Sequence, residues 1–384
     1  MCLSSLHKYV DELFSGSRER LPAQLSAIEN ALNVVLVIVD GMGYMNMKEK
    51  LGELPFFQSL DDENRILPAT SVFPSTTAAS SASIYLGSDP VSHGLLEWYL
   101  FLDEAGIIVE TLPFTAHNPA EREGFKKLGL PIDVLFEGSA VTESLARKGI
   151  DCHALLPEAV AESEFSKQAM KKSSRTGYSK LEDVPSLLSD ILSGERRTFT
   201  TVYYPGVDTA GHIHGPTSEK YLEEMRKVDR FASEIARVKR KDTVMLITAD
   251  HGQIEVDPGK TLYLDDFDWF DKLLSPKPGG VIAPYGSPRD IIIRTPYPEK
   301  MQTKLEEDIA EYGDVVSTRH LIMNEYFGKG NMAGCFTSRA GDLWILPGKG
   351  RAVWYRHYED EKVLFKGLHG GLTPEEILVP ISIV

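Results

Sequence analysis

Residues 33–41 read Asn33-Val-Val-Leu-Val-Ile-Val39-Asp40-Gly41, an apolar run that stops abruptly at an acid and a glycine. A continuous β-branched run of this length is typical of a parallel strand that is buried on both faces. Two further segments are predicted strands: Thr198–Tyr204, which is rich in β-forming residues and leads into Asp208, and Thr243–Thr248, which is a further buried strand and leads into Asp250. The sequence therefore predicts three buried strands that each end close to a carboxylate.

Helical segments alternate with these strands. Val141–Lys148 is a predicted helix followed by a strand at Ile150–Leu156, and Thr217–Val238 carries apolar residues at spacings of three and four, as an amphipathic helix does. Residues 1 to about 32 are expected to form helices on the core, and Ile377–Val384 a last strand. This rhythm predicts an α/β fold, namely a doubly wound, mostly parallel sheet with helices on both faces.

Residues 255–365 differ from the rest of the chain because they are richer in proline, glycine and aromatic residues. We expect an inserted α+β cap or lobe at 255–365, and a core formed by residues 1–254 and 366–384. The lobe contains a predicted strand, helix and strand, at Asp290–Arg294, Glu299–Glu311 and Asp314–Ser317. In the core, two short segments predict a hairpin (Leu100–Leu102 and Ile107–Val109), and the polar Lys167–Ser179 is expected to be a mobile surface loop.

Composition excludes several classes of function. The 384 residues are 42% hydrophobic and carry 41 basic against 56 acidic residues, a net charge of −15. Such a chain is not expected to bind a nucleic-acid duplex, although bound cations would let it bind phosphate. The three cysteines (Cys2, Cys152, Cys335) are scattered, which favours a reducing compartment over a disulfide framework. Without an apolar signal core or a long apolar run, we expect a cytoplasmic protein that does not cross a membrane.

The segment Ser71–Gly94 is where the chemistry is expected. Pro74 ends any preceding strand, and Thr76 and Thr77 open a short helix of small residues that Gly87 can close. A hydroxyl in the first turn of a helix lies beside unpaired backbone N–H groups, where an anionic group is stabilised. The alternative interpretation is a buried structural helix with a threonine N-cap.

Carboxylates and histidines from distant parts of the chain are expected to meet. In an open parallel sheet the ligand site lies beyond the carboxyl ends of the strands, which would bring Asp40, Asp208 and Asp250 to one edge. Histidines follow in glycine-flanked turns, at positions His212, His251 and His369. Three aspartates and three histidines without a thiolate suit Zn²⁺, with Mn²⁺ as the second choice. A pair of such ions clamps an in-line displacement at phosphorus.

The remaining histidines are not expected to be ligands. His93 and His214 are interpreted as structural residues, and the others have no partner motif and are interpreted as surface or packing residues: His7, His117, His153, His320 and His357. The acidic run Asp265–Asp268 is interpreted as a helix cap and a solvated face rather than a second metal site.

Taken together, the motifs resemble those of the alkaline phosphatase superfamily, and within it the type I phosphodiesterase/nucleotide pyrophosphatase family. The resemblance covers about residues 31–252 and 366–384. The residues that carry it are Asp40-Gly41, Pro74-x-x-Thr77, Gly87, Pro90, His93-Gly94, Asp208-x-x-x-His212-x-x-Gly215-Pro216, Asp250-His251-Gly252 and His369-Gly370.

This resemblance implies the roles of individual residues. One metal ion would be held by residues matching Asp208, His212 and His369. The second would be held by Asp40, Asp250, His251 and the nucleophile, and the motif spacing selects Thr77 over Thr76 as that nucleophile. The implied activity is a two-metal hydrolase of phosphodiester or pyrophosphate bonds that acts through a phosphoryl-threonine intermediate.

Two departures from the family pattern leave the substrate open. Members commonly carry Asn three residues after the nucleophile, where Ser80 stands here, and Ala79-Ser80-Ser81 replaces the usual Pro-Asn-His. Ser80 is the candidate to hold a phosphoryl oxygen in place of the amide. The alternatives are a phosphomonoesterase, phosphonate hydrolase or phosphomutase on the same scaffold, and, from another class, an inactive metal-binding regulatory protein. The expected partner is a small phosphoester, with nucleotides among the candidates, and the sequence indicates no oligomeric state.

Overall fold

A computed structural model describes residues 1–17, 19–26 and 31–384. The strands of these residues are β1 (Asn33–Val39), β2 (Ile66–Thr70), β3 (Tyr99–Leu102), β4 (Ile107–Glu110), β5 (Thr115–Ala116), β6 (Asp151–Pro157), β7 (Ser173–Tyr178), β8 (Thr198–Tyr204), β9 (Thr243–Thr248), β10 (Ile254–Glu255), β11 (Leu262–Tyr263), β12 (Pro276–Lys277), β13 (Gly280–Val281), β14 (Tyr285–Ser287), β15 (Asp290–Ile293), β16 (Gly313–Ser317), β17 (Leu343–Pro347), β18 (Val353–Trp354), β19 (Gly367–Leu368) and β20 (Leu378–Ile383).

The α-helices are α1 (Leu6–Ser15), α2 (Ala23–Ser26), α3 (Tyr44–Lys50), α4 (Pro55–Asp62), α5 (Thr77–Leu86), α6 (Pro90–His93), α7 (Arg122–Leu128), α8 (Val141–Arg147), α9 (Glu158–Ala161), α10 (Glu164–Ala169), α11 (Val184–Leu192), α12 (Gly206–His214), α13 (Glu219–Val238), α14 (Pro298–Ile309), α15 (Thr318–Met323), α16 (Phe336–Ala340) and α17 (Pro374–Ile377). Short 3₁₀ turns lie at Leu3–Ser5, Leu51–Glu53, Pro119–Glu121, Ile132–Leu135, Leu181–Asp183, Pro258–Lys260, Leu264–Asp266 and Asp271–Leu273.

The predicted strand at residues 33–39 is β1, and it lies in the middle of the central sheet. The strand order of this sheet, within the described residues, is β2-β20-β9-β1-β8-β6-β7. β1 pairs in parallel with both β8 and β9, so that Val35 lies opposite Thr200 on one side and Met245 on the other. All residues of β1 are buried, and each buried aliphatic side chain contributes roughly 1.5–3 kcal/mol to folding.

Helices flank this sheet, as the predicted α/β class requires. α5 lies among α6, α8 and α10, and all of its residues are buried, which its alanine and serine side chains permit. The long amphipathic helix α13 packs with α4, α11 and α12. The predicted doubly wound, mostly parallel sheet is therefore confirmed; β20 is its one antiparallel strand among the described residues, because it pairs antiparallel with both β2 and β9.

A second sheet is antiparallel and has the order β16-β17-β15-β14-β3-β4-β5 among the described residues. The predicted hairpin is the pair β3–β4, and β3 joins β14 where Tyr99 lies opposite Gly286. Residues 99–116 thus share a sheet with strands of residues 285–347, although the sequence places them in the core. The division into a core and an inserted lobe at 255–365 stays a prediction.

The prediction of a surface loop at Lys167–Ser179 is wrong. The segment contains the end of α10 and the strand β7, which pairs in parallel with β6 at the edge of the central sheet. Only one side of an edge strand is paired and much of β7 is exposed, so that its polar residues resemble those of a loop.

The N-terminal segment contains α1 and α2, in agreement with the expected helices, whereas the prediction for residues 18 and 27–30 falls outside the described residues. Among the residues that are described, no helix combines the length and the apolar character needed to cross a membrane.

Candidate active site

The carboxyl ends of β1, β8 and β9 bring three aspartates together, as their predicted parallel pairing requires. Asp40 directly follows β1, Asp250 follows β9 after one residue, and Asp208 lies in α12, the helix after β8. The backbone N–H of Asp208 donates to the Asp40 carbonyl at 3.0 Å, and the N–H of Gly41 donates to Asp250 Oδ1 at 3.2 Å.

Gly41 allows this close approach. Its φ is +72°, and a Cβ atom on it would lie 2.8 Å from the Cα of Asp208. A larger residue would be strained by its backbone conformation and would also push the Asp208 segment away. The Asp40-Gly41 pair that ends β1 is therefore a structural requirement of the site.

The first group of candidate ligands surrounds His251. Its Nε2 lies 3.0 Å from Thr77 Oγ1, 3.3 Å from Asp40 Oδ1 and 3.5 Å from Asp250 Oδ2. Thr77 is the first residue of α5, whose N-cap is Thr76: the Thr76 hydroxyl accepts the N–H of Ala79. The two threonines are thus separated by position, with Thr76 capping the helix and Thr77 facing the acids.

The second group adjoins the first. His212 Nε2 lies 3.3 Å from Asp208 Oδ2, and His369 Nε2 lies 3.8 Å from Asp208 Oδ1. The rings of His251 and His369 stack with their centroids 3.6 Å apart. Ligand atoms of Asp40, Asp250 and His251, and those of Asp208, His251 and His369, lie within 4.8 Å of one another in each set. The structure thus brings together all seven residues predicted to hold metal ions.

Each of the three histidines is oriented by a backbone carbonyl. Nδ1 of His212 lies 2.7 Å from the Gly367 oxygen, Nδ1 of His251 lies 3.1 Å from that of Gly252, and Nδ1 of His369 lies 3.2 Å from that of Ser75. A carbonyl oxygen only accepts, so Nδ1 carries a proton in each ring and Nε2 is directed at the acids. This is the arrangement that a metal-binding imidazole usually has.

The crowded carboxylates need a positive charge. Burial, and then the neighbouring charge of Asp40, raises the pKa of Asp250 to about 7. Burial disfavours a charged His251, but the carboxylates of Asp250 and Asp40 outweigh it and raise the pKa of His251 to about 10. Asp40 Oδ1 and Asp250 Oδ2 are buried and receive no hydrogen bond from the residues described. A divalent cation would satisfy these oxygens and leave His251 Nε2 as a ligand.

His369 is kept unprotonated by its surroundings. Burial, followed by the charges of His251 and His212, lowers the pKa of His369 well below its ordinary value. A neutral imidazole is the form that binds a metal ion.

Sequence reasoning missed two polar residues that hold the acids in place. The Tyr203 hydroxyl donates to Asp40 Oδ2, and the Gln253 side-chain amide donates to Asp208 Oδ1. Both had a signal in the sequence, because Tyr203 lies opposite Ile38 in the paired strands and Gln253 directly follows the Asp250-His251-Gly252 motif.

Ser80 lies behind the acids rather than among them. It is fully buried, and its hydroxyl lies 2.8 Å from that of Ser71, which donates to the Asp250 carbonyl at 2.5 Å. This arrangement fixes the backbone of Asp250. The predicted contact between Ser80 and a phosphoryl oxygen stays a prediction.

The two histidines interpreted as structural lie outside the cluster. His93 is fully buried between the Ser83 hydroxyl at 2.9 Å and the N–H of Leu95 at 3.1 Å, whereas His214 is exposed at the end of α12. Beside the site, the exposed ring of Phe365 lies 4.6 Å from the ring of His212.

The fold matches the alkaline phosphatase-like fold of the solved structures compared below. The family model described as type I phosphodiesterase/nucleotide pyrophosphatase matches residues 34–372, and the chain belongs to this family. A comparison with curated proteins gave no match.

Solved structures with the same fold are only distantly similar in sequence. Murine ectonucleotide pyrophosphatase/phosphodiesterase 5 is 14% identical, with a TM-score of 0.65 over 91% of this chain and 87% of that one. The same protein has been solved as an inactive threonine-to-alanine variant in complex with AMP. Phosphonoacetate hydrolase from Sinorhizobium meliloti 1021, in complex with phosphonoformate, is 16% identical, with a TM-score of 0.64 over 91% of this chain and 89% of that one.

Proposed function

We propose that this protein is a two-metal hydrolase of phosphodiester or pyrophosphate bonds that uses Thr77 as its nucleophile. The observation that carries the proposal is the position of Thr77 Oγ1, 3.0 Å from His251 Nε2 and beside buried aspartate oxygens that lack hydrogen-bond donors among the described residues. An alcohol in this place, at the N-terminus of a buried helix, is suited to attack an anionic phosphoester.

The donor atoms divide into two sets. We assign Asp40, Asp250, His251 and Thr77 to one ion, and Asp208, His212 and His369 to the other. Nitrogen and oxygen ligands without thiolate favour Zn²⁺, and Mn²⁺ is the second choice. Two bound cations would neutralise the charge of the transferring oxygens and lower the pKa of the attacking hydroxyl and water.

The proposed reaction has two steps. Thr77 Oγ1 forms a bond to phosphorus, the bond from phosphorus to the leaving oxygen breaks in line with it, and the threonine proton is released to solvent. Water then cleaves the phosphoryl-threonine and restores the hydroxyl. The backbone N–H groups of Thr77 and Ala78, in the first turn of α5, have no partner within the helix and can stabilise the phosphoryl oxygens, whereas that of Ala79 donates to the Thr76 hydroxyl.

The substrate class rests on the family and its neighbours. The murine protein binds AMP, which favours a nucleotide-containing diester or pyrophosphate for this chain. The bacterial neighbour binds phosphonoformate, which favours phosphonate hydrolysis as the second candidate. We further propose a cytoplasmic location, supported by the three cysteines, which are free thiols.

The proposal is tested by comparing Thr77→Ala with Thr76→Ala. Activity is measured on bis-p-nitrophenyl phosphate, p-nitrophenyl phosphate, phosphonoacetate and a set of dinucleotides and nucleotide sugars, with Zn²⁺ and with Mn²⁺. We expect Thr77→Ala to lower kcat by about 10³-fold or more, because the nucleophile is lost, without changing the metal content. Thr76→Ala is the matched control: it removes the helix cap, at a cost of about 1 kcal/mol of stability, and the hydrogen bond from the Thr76 hydroxyl to the Leu96 carbonyl.

The results separate the alternatives. Preference for the diester supports the proposal, preference for the monoester or the phosphonate favours those enzymes, and full activity of Thr77→Ala removes Thr77 from the mechanism. Stoichiometric metal without hydrolysis of any compound would favour a regulatory protein.

A further inference from the structure

A second set of metal-ligand side chains lies at the end of β5, apart from the candidate active site. His117 directly follows β5, and His357 and Glu361 lie between β18 and β19. One ligand atom from each of these three side chains lies within 4.8 Å of the others. No local sequence pattern connects them, since His117 and Glu361 are 244 residues apart.

His357 presents a lone pair to the carboxylate of Glu361. Its Nε2 lies 2.8 Å from the Pro284 carbonyl and therefore carries a proton. In the neutral ring Nδ1 is then unprotonated, and it lies 3.2 Å from Glu361 Oε2. A lone pair facing a carboxylate oxygen is repulsive unless a cation or a proton lies between them.

His117 has a carboxylate on each side. It is 5% exposed, its Nε2 lies 2.9 Å from Glu361 Oε1, and its Nδ1 lies 3.6 Å from Glu110 Oε1. Nδ1 accepts and donates no hydrogen bond within the described part of the chain. A carboxylate beyond one ring nitrogen orients the other toward a metal ion in many zinc sites.

The charges of this set also suit a cation. Glu110 and Glu361 carry two negative charges, and Arg122, whose side chain lies 3.7 Å from Glu110, supplies one positive charge. With neutral histidines, these three side chains leave one negative charge; of the cations that line the adjoining cavity, Arg356 pairs with Asp265 and Asp266, and Lys277 donates to the Gly106 carbonyl. Buried charges of this kind are usually paired or coordinate a metal ion.

We propose that His117 Nε2, His357 Nδ1 and the carboxylate of Glu361 form a zinc site separate from the candidate active site. Two imidazoles and one carboxylate are a frequent zinc ligand set, which leaves a fourth position for water. The two histidines line a cavity of about 180 Å³, together with Asn118 and Lys277, so water and the ion can reach the site. The proposal does not depend on the activity proposed above.

The position of the site suggests what the ion does. It would join the end of β5 to the segment that runs from Glu361 to His369 in the candidate active site. We infer that the ion would hold this segment in place, because its ligands come both from the residue after β5 and from the segment itself.

The test counts zinc ions per chain. Wild-type protein, Glu361→Gln, His357→Gln and the control His320→Gln are dialysed against the same zinc buffer and measured by inductively coupled plasma mass spectrometry. His320 is exposed and its ring contacts Asn324 rather than a carboxylate, so its replacement controls for the loss of a surface histidine. We expect each site variant to bind about one zinc ion fewer than the wild type, and the control to bind the same number.

Folding is checked by circular dichroism and by the zinc-dependent rise in Tm. Should Glu361→Gln fail to fold, His357→Gln decides the question, because a glutamine amide is also a donor for the Pro284 carbonyl that accepts from His357 Nε2. A smaller zinc-dependent rise in Tm for the site variants than for His320→Gln supports the structural role. Equal zinc content in the wild type and a folded site variant would overturn the proposal. The three side chains would then be interpreted as a network of protonated histidines and a glutamate without a metal ion.

Discussion

A single hydroxyl, that of Tyr203, links the central strands to the candidate metal ligands. It donates to Asp40 Oδ2 from the neighbouring strand, in parallel register with β1. Burial, followed by the charge of Asp40, raises the pKa of Tyr203 well above its ordinary value, so the hydroxyl remains a donor at every pH at which the enzyme is expected to work. The other Asp40 oxygen faces His251. Tyr203 therefore fixes which oxygen of Asp40 is presented to a cation.

Replacing Tyr203 by phenylalanine should weaken metal binding without removing a ligand. We expect the metal dissociation constant of the Asp40 site to rise about 10–100-fold, as for other groups that orient a ligand. Competition with a chromophoric chelator measures this change. The control is Tyr178→Phe, which removes a buried hydroxyl that donates 2.6 Å to the Tyr203 carbonyl and not to an acid. Equal metal affinities for both variants would show that metal binding by Asp40 does not depend on the hydrogen bond from Tyr203.

Single residues also show where sequence reasoning succeeded and failed. Asp40, Asp208 and Asp250 could be placed together because parallel strands align their carboxyl ends, a rule that needs no knowledge of distant contacts. Composition could not decide whether Thr76 or Thr77 is the nucleophile. The spacing of the family motif selects Thr77, and the structure agrees in that Thr76 is the N-cap and Thr77 is the first residue of the helix. His117 and His357 were missed because no local pattern connects residues so far apart in the chain.

Among the elements, the link between the second sheet and the central one depends on a buried ion pair. Arg289, in the turn between β14 and β15, donates to both carboxylate oxygens of Glu376 in α17, at 2.9 and 2.8 Å. Both side chains are fully buried. The Glu376 carbonyl accepts the N–H of Gly252, the residue after His251, at 2.8 Å. This pair therefore connects the second sheet to the loop that carries a candidate ligand.

Replacing Arg289 by methionine should destabilise the protein by about 3–5 kcal/mol, because it leaves the Glu376 charge buried and unpaired. Urea unfolding followed by circular dichroism measures the loss. The matched control is Lys349→Met, which removes the exposed partner of Glu375 in the same helix and should change stability far less. Similar losses of stability for the two variants would mean that the buried ion pair stabilises the protein no more than the exposed one does.

The elements differ in how well the sequence specified them. β1, β8 and β9 are rich in β-branched and aromatic residues and are buried along most of their length, and their predicted bounds agree with the structure. β7 was missed because an exposed edge strand needs few apolar residues. The pairing of β3 with β14 could not be foreseen, since it joins segments from distant parts of the chain and no sequence pattern records that contact.

At the scale of the whole molecule, the fold concentrates negative charge at one edge of a sheet. The chain has a net charge of −15, and three of its aspartates converge where β1, β8 and β9 end. Such a site is unfavourable for an anionic substrate unless cations invert its charge. The central claim is therefore the proposal that two divalent ions would occupy this edge, one held by Asp40, Asp250, His251 and Thr77 and the other by Asp208, His212 and His369.

Anomalous scattering at the zinc absorption edge, from crystals of the zinc-loaded protein, tests that claim most directly. The account predicts two strong peaks roughly 4 Å apart, one between Asp40, Asp250, His251 and Thr77 and the other between Asp208, His212 and His369. A single peak at this edge, no peak, or two peaks with Thr77 Oγ1 beyond bonding distance of both would contradict it.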